Sequence, residues 1–277
     1  MPFSSVSVAV DDAKHEVAPW IERLARVGFL AKALLYITVG FLAATAALGL
    51  GGKAATDQHS AMMSLLTKPL GRVLLAVIAL GLVGYAVWQI IEAIADPERH
   101  GRSAKGIAMR VRSFVTGGFH LALAFSAAKL ALYQRDDRQD SSQAAQEWTA
   151  RALSKPGGKL IVGLAAAAFV GYGLYQLFKA KLDDRLALGQ LGHTSRRVVI
   201  GVSRFGIAAR GIVFGMIGVM LARAAYAGNP KEAGGVSKSM RELFGFGTGP
   251  FVAVAIGLVA YGVYQVINAR YRKISLR

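Results

Sequence analysis

The chain has 277 residues, of which 54% are hydrophobic and 18% charged, with a mean hydropathy of +0.41. Its charges sit in blocks between long apolar runs, which argues against a soluble domain and marks a membrane protein. The absence of cysteine excludes disulfides, thiolate metal sites and cysteine nucleophiles, and the net charge is +17. In a soluble chain that charge would suggest nucleic acid. Here Lys and Arg flank the apolar runs, where they orient a protein against anionic lipid head groups, so no nucleic-acid partner is expected.

Residues 1–19 are polar, with Asp11, Asp12, Lys14 and Glu16, and lack the apolar core of a cleaved signal peptide. They read as a cytoplasmic tail, with the first span doing the targeting. Six runs then follow that are long enough to cross a bilayer as helices: Phe29–Leu48, Val73–Ile94, Phe114–Leu132, Leu160–Phe178, Ile207–Ala227 and Phe251–Ile267. In the last, Tyr261, Tyr264 and Tyr271 are candidates for its interfacial end.

The second, fourth and sixth runs close on one motif. Gly84-Tyr85-Ala86-Val87-Trp88-Gln89 returns as Gly171-Tyr172-Gly173-Leu174-Tyr175-Gln176 and as Ala260-Tyr261-Gly262-Val263-Tyr264-Gln265, at spacings of 87 and 89 residues. Such self-similarity is the mark of a repeat architecture. The first helices are related more weakly. Arg26, Gly28, Ala31, Lys32, Ala33 and Tyr36 match Arg204, Gly206, Ala209, Arg210, Gly211 and Phe214 at a constant offset of 178; the middle copy fits at an offset of 84, through Arg110, Gly117 and His120. Three units follow, over 20–100, 101–186 and 187–277, forming one membrane domain. Between the two spans of each unit, Ala61–Leu66, Ala150–Leu153 and Ser239–Phe244 read as short amphipathic helices on the membrane surface.

Outside the spans, 18 Lys and Arg lie on the side of the two termini and 10 on the other, which puts both termini in the cytoplasm. With an even number of spans per unit, all three units enter the membrane in one direction. A pseudo-threefold axis along the membrane normal is expected, lined by the second helices.

Three tandem two-span units with an Arg-x-Gly…Ala-(Lys/Arg)-(Ala/Gly) entry and a Gly-Tyr-x-x-(Tyr/Trp)-Gln exit resemble the bacterial membrane family catalogued as domain of unknown function 1206. The resemblance runs from about Trp20 to Lys273 and implies a six-span, triplicated, all-α protein of the bacterial cytoplasmic (inner) membrane. It implies no established activity. The middle unit departs from the pattern, with Thr116 where the others have a cation and His120 where they have an aromatic ring.

The candidate site residues follow from the spans. Tyr85 with Gln89, Tyr172 with Gln176, and Tyr261 with Gln265 lie at i and i+4, on one helix face each. They either hydrogen-bond between helices or form a ring of three Tyr and three Gln around a polar vestibule. Lys32, Glu92, Lys129, Arg210 and Arg223 are charges inside spans, where such residues are costly and point to function. Lys32 and Arg210 lie close enough to one end to snorkel, and Glu92 is placed to pair with Lys32 or Arg26. His120 is the most interior histidine, and reads as packing or as a proton relay. No metal-ligand spacing, no catalytic set and no cofactor motif is present, so neither an enzyme nor a cofactor is expected. The leading expectation is a transport- or channel-like component that binds or passes a small polar solute, ion or lipid head group. The alternative is a non-transporting scaffold whose basic cytoplasmic face binds anionic lipid or a protein partner; homo-oligomerisation is open.

Overall fold

Lipid offers the backbone no hydrogen-bond partner, so each apolar run must satisfy its own peptide groups by coiling into a helix. The computed structural model describes residues 3–48, 58–66, 69–95, 103–133, 141–179 and 193–272. Within them run α1 (Phe3–Ala47), α2 (Gln58–Leu66), α3 (Gly71–Ala95), α4 (Ala104–Tyr133), α5 (Ser141–Leu153), α6 (Gly158–Lys179), α7 (His193–Ala227), α8 (Val236–Gly245) and α9 (Thr248–Tyr271). The six expected spans are α1, α3, α4, α6, α7 and α9, each long and apolar enough to cross a membrane. α1 starts at Phe3, so the polar N-terminal segment is helical and continuous with the first span. Of the basic residues counted for orientation, Lys53, Lys68, Arg99, Arg102, Arg135, Arg138, Lys181, Arg185, Lys273 and Arg277 lie outside the described residues.

The short helices α2, α5 and α8 each stand between the two spans of a unit and together cap one end of the bundle. They bury Ala61 and Met62, Ser142 and Thr149, and Met240 and Leu243, respectively. Two of them are tied together, the backbone N–H of Lys238 donating to the Ser142 hydroxyl at 2.9 Å. After each cap helix the chain turns through a left-handed residue into the next span: Leu70 (φ 61°), Gly157 (φ 74°) and Gly247 (φ 119°). Two are glycine, which adopts this conformation without steric penalty.

The spans are ordered by small residues that let helices approach closely. The extensive packings run α3 on α4, α6 on α7, and α9 on α1, each joining one unit to the next. All three are built on equivalent positions. A Cβ added to Gly117 would lie 3.2 Å from the Ala86 carbonyl; on Gly211 it would lie 2.9 Å from that of Gly173; on Gly262, 2.9 Å from that of Ala33. These are the third residue of each motif and the small residue after the Lys32, Thr116 or Arg210 position.

Within units the packing is less even. α1 meets α3 where Gly28 abuts the Tyr85 backbone and Gly81 abuts Ala31, and α7 meets α9 where Gly206 abuts Tyr261 and Gly257 abuts Ala209. The middle unit lacks this contact: α4 and α6 do not pack along their length. The residues explain why. At the three closest-approach positions the middle unit carries Arg112 for glycine, Val115 for alanine and Ala168 for glycine. A helix bearing those side chains cannot come so near its neighbour.

The bundle core fills the half nearer the cap. One cluster includes Val39, Ala43, Val213, Met220 and Leu258, and a second includes Leu35, Leu75, Ile78, Leu82 and Leu130.

Candidate functional site

At the end away from the cap, all six spans contribute to one small cavity of about 60 Å³. Its lining repeats with the units. Tyr85, Tyr172 and Tyr261 come from the first polar position of the motif, and Gln89, Gln176 and Gln265 from the second. Lys32, Thr116 and Arg210 are the three copies of one first-helix position. The second helices were expected to line the centre; the first helices share it, because the cation position stands one residue before the close-packed small residue. Tyr261 and Tyr264 face this interior, each 5% exposed, and do not stand at a lipid interface.

Each motif tyrosine is propped edge-on by an aromatic ring from the next unit's first helix. Tyr36 meets Tyr261 with centroids 4.7 Å apart, His120 meets Tyr85 at 4.7 Å, and Phe214 meets Tyr172 at 5.1 Å. Such contacts add to the area already buried. His120 is therefore the middle copy of a buttressing ring; its Nδ1 lies 2.7 Å from the Thr116 carbonyl, and it stands behind Tyr85, off the cavity wall.

The cations reach in from several helices. Arg210 donates to the Tyr172 hydroxyl at 2.9 Å and the Tyr36 hydroxyl at 3.2 Å, with its guanidinium 5.1 Å from the centre of the Tyr261 ring. Lys32 sets its ammonium 4.0 Å over the Tyr85 ring. Phenol hydroxyls and ring faces thus contact both cations. Arg112 and Arg272, which sequence reasoning counted only as flanking charges, also line the cavity. The signal for Arg112 was its replacement of glycine at the Gly28 and Gly206 position. Among the described residues, no carboxylate lines the cavity.

Glu92 is buried, at 1% exposed, and is not part of the lining. Arg26, one of its expected partners, is engaged elsewhere: it pairs with Glu22 at 2.6 Å and donates to the Ala269 carbonyl. Of the twelve candidate residues, eight meet at the cavity, and Glu92, Lys129, Arg223 and His120 are not part of its lining.

A wall that repeats three times predicts a family profile that does the same. The profile of the Domain of Unknown Function DUF1206 matches three times, at residues 27–96, 111–183 and 205–272. The chain belongs to the DUF1206 family. Each DUF1206 match contains one pair of spans and one copy of the tyrosine-glutamine face. "Uncharacterized protein YxxB" of Bacillus subtilis (strain 168) is 30% identical over 267 residues, covering 95% of both chains. No solved structure matches.

Proposed function

We propose that this DUF1206 protein binds a small anionic group, an oxyanion or an anionic head group, in the cavity between its six spans. One observation carries this: Lys32, Arg112, Arg210 and Arg272 line a cavity with no carboxylate among its described wall residues. A wall that carries four cations favours a negatively charged occupant over a neutral or positive one. Three glutamine amides and three phenol hydroxyls add hydrogen-bond donors that an oxyanion accepts well. The tyrosine and glutamine positions suit a site related by a pseudo-threefold axis, which the equivalent unit-to-unit contacts support.

Toward the cap the spans bury apolar residues such as Val39, Val213, Leu258, Leu35 and Leu82, which supports reading the cavity as a blind pocket with no open channel ahead of the bound anion. A transport-like role would make it the loading site of a carrier. That same blind end favours the second reading, a scaffold that holds a lipid head group at its basic face and moves nothing. The excess of Lys and Arg on the side away from the cap supports a cytoplasmic mouth in a bacterial inner membrane.

The experiment is titration of inorganic phosphate onto purified protein in nanodiscs of zwitterionic lipid, read by calorimetry and by thermal stability. Binding is expected, and Arg210→Gln should weaken it by about 10-fold or more, since a hydrogen bond to a charged group contributes about 1.5–3 kcal/mol. Arg210→Lys keeps the charge and should retain most of the affinity. Absence of binding, or affinity indifferent to Arg210→Gln and Arg112→Gln, overturns the proposal.

A further inference from the structure

We infer that the cleft between α4 and α6 is a lateral gate through which one anionic phospholipid seats its phosphate in the cavity while its acyl chains stay in the cleft. The inference rests on the anion-binding reading and names its ligand. Its first support is the missing helix contact. The positions that close the other two units are buried there: Ala31 is 6% exposed and Ala209 3%, and Gly81 and Gly257 are buried. Their counterparts in the middle unit lie open, with Val115 63% exposed and Ala168 exposed. Further along the same two margins, Phe119 is 53% and Leu164 63% exposed. The α4–α6 face is thus apolar, unlike the cavity behind it.

Its second support is continuity. Arg112 and Thr116 on α4, and Tyr172 and Gln176 on α6, belong both to the margins of the cleft and to the cavity wall. A molecule in the cleft therefore reaches the cations without leaving the bundle. Arg112 lies six residues inside the start of its span, about 9 Å along the helix axis, near the level of a lipid head group.

The third support is size. The cavity is small, about 60 Å³, and its wall is mostly polar and charged, which suits a phosphate group and disfavours an acyl chain. An acyl chain beside Val115, Phe119 and Leu164 and a phosphodiester beside Arg112 and Arg210 match both surfaces at once. Thr116 fits this arrangement: at the one copy of the cation position that borders the cleft, a short neutral side chain leaves passage where Lys or Arg would stand across it.

The chain has no cysteine, so a single one reports its position cleanly. Ala168→Cys, in the cleft, and Leu80→Cys, 72% exposed at the equivalent depth on α3, are each labelled with bimane in nanodiscs of phosphatidylcholine. A small fraction of brominated-chain phosphatidylglycerol or brominated-chain phosphatidylcholine is then added as quencher. At position 168 the anionic lipid should quench with a preference of about tenfold over the zwitterionic one. At position 80 the two should quench alike. Arg112→Gln should remove the preference at 168 without affecting 80, and Val115→Trp, which fills the cleft, should lower quenching by both lipids. Equal quenching at 168 with phosphate binding intact overturns the lateral gate and leaves the anion site standing. Loss of phosphate binding as well removes both. A label at 168 reached by neither lipid shows that a second copy or another protein covers this face, and also overturns the inference.

Discussion

Leu70 is held at φ 61°, a conformation in which its Cβ crowds the following carbonyl. The other two units have glycine at the same turn, and Leu70 is 76% exposed, so its side chain contributes little burial in exchange. Leu70→Gly should therefore stabilise the protein by about 0.5–1 kcal/mol, the relief of about 1–2 kcal/mol of strain less the added freedom of the unfolded chain. Unfolding in mixed micelles by increasing SDS measures it; a loss of stability would mean that the turn is held by Leu70. A second residue-scale prediction concerns Thr116. Thr116→Lys restores the third copy of the cation and should raise phosphate affinity in the titration described above. The same variant should slow exchange of brominated phosphatidylglycerol at position 168, because it narrows the gate that Thr116 leaves open. Much of this was legible in the sequence: the tyrosine-glutamine faces and the Lys32 and Arg210 positions could be read as candidates and do meet in space. Arg112 was harder to read: a cation eight residues into a helix looks like a flanking charge, and its one mark is that it replaces the glycine of the other two units.

Which helices touch is decided by small residues, and spacing alone does not say with whom. Gly211 and Gly262 both stand in the repeated sequence motifs, yet their partners come from different units: α6 for Gly211, and α1 for Gly262. Periodicity reports which face of a helix is small, while the neighbour depends on the whole bundle. The two classes of glycine predict different outcomes. Gly211→Leu would force a side chain into the Gly173 carbonyl and should destabilise by about 1–3 kcal/mol or more, as overpacking does. A Cβ added to Gly118 meets nothing within 4 Å, so Gly118→Leu should not destabilise. The same SDS unfolding separates them, and equal effects would contradict the packing described for α6 and α7. The open seam between α4 and α6 has the same origin. Gly→Arg, Ala→Val and Gly→Ala at three aligned positions are all visible in the sequence, but they mean separation only once the closed units show what glycine and alanine achieve there.

For the molecule as a whole, the even number of spans in each unit puts the three cap helices on one side of the bilayer. The mouth of the cavity then lies on the other. Basic residues concentrate on the mouth side, and the positive-inside bias supports the proposal that this side faces the cytoplasm. A phosphate group reaching Arg112 from the inner leaflet and an anionic solute reaching it from the cytoplasm would use the same approach, so orientation decides which pool of anions the cavity samples. Because the chain has no native cysteine, single substitutions at exposed positions test this directly. Lys155→Cys and Phe246→Cys on the cap side, and Arg196→Cys at the start of the fifth span, are all exposed. In intact cells expressing the protein, a membrane-impermeant maleimide should modify positions 155 and 246 and spare 196, which should react only after the inner membrane is opened. Reaction at 196 in intact cells with protection of 155 would invert the protein and turn the cavity toward the outer leaflet. Reaction of 155 and 246 from opposite sides would break the common direction of the units, and the equivalence of Lys32, Thr116 and Arg210 around one cavity would lose its basis.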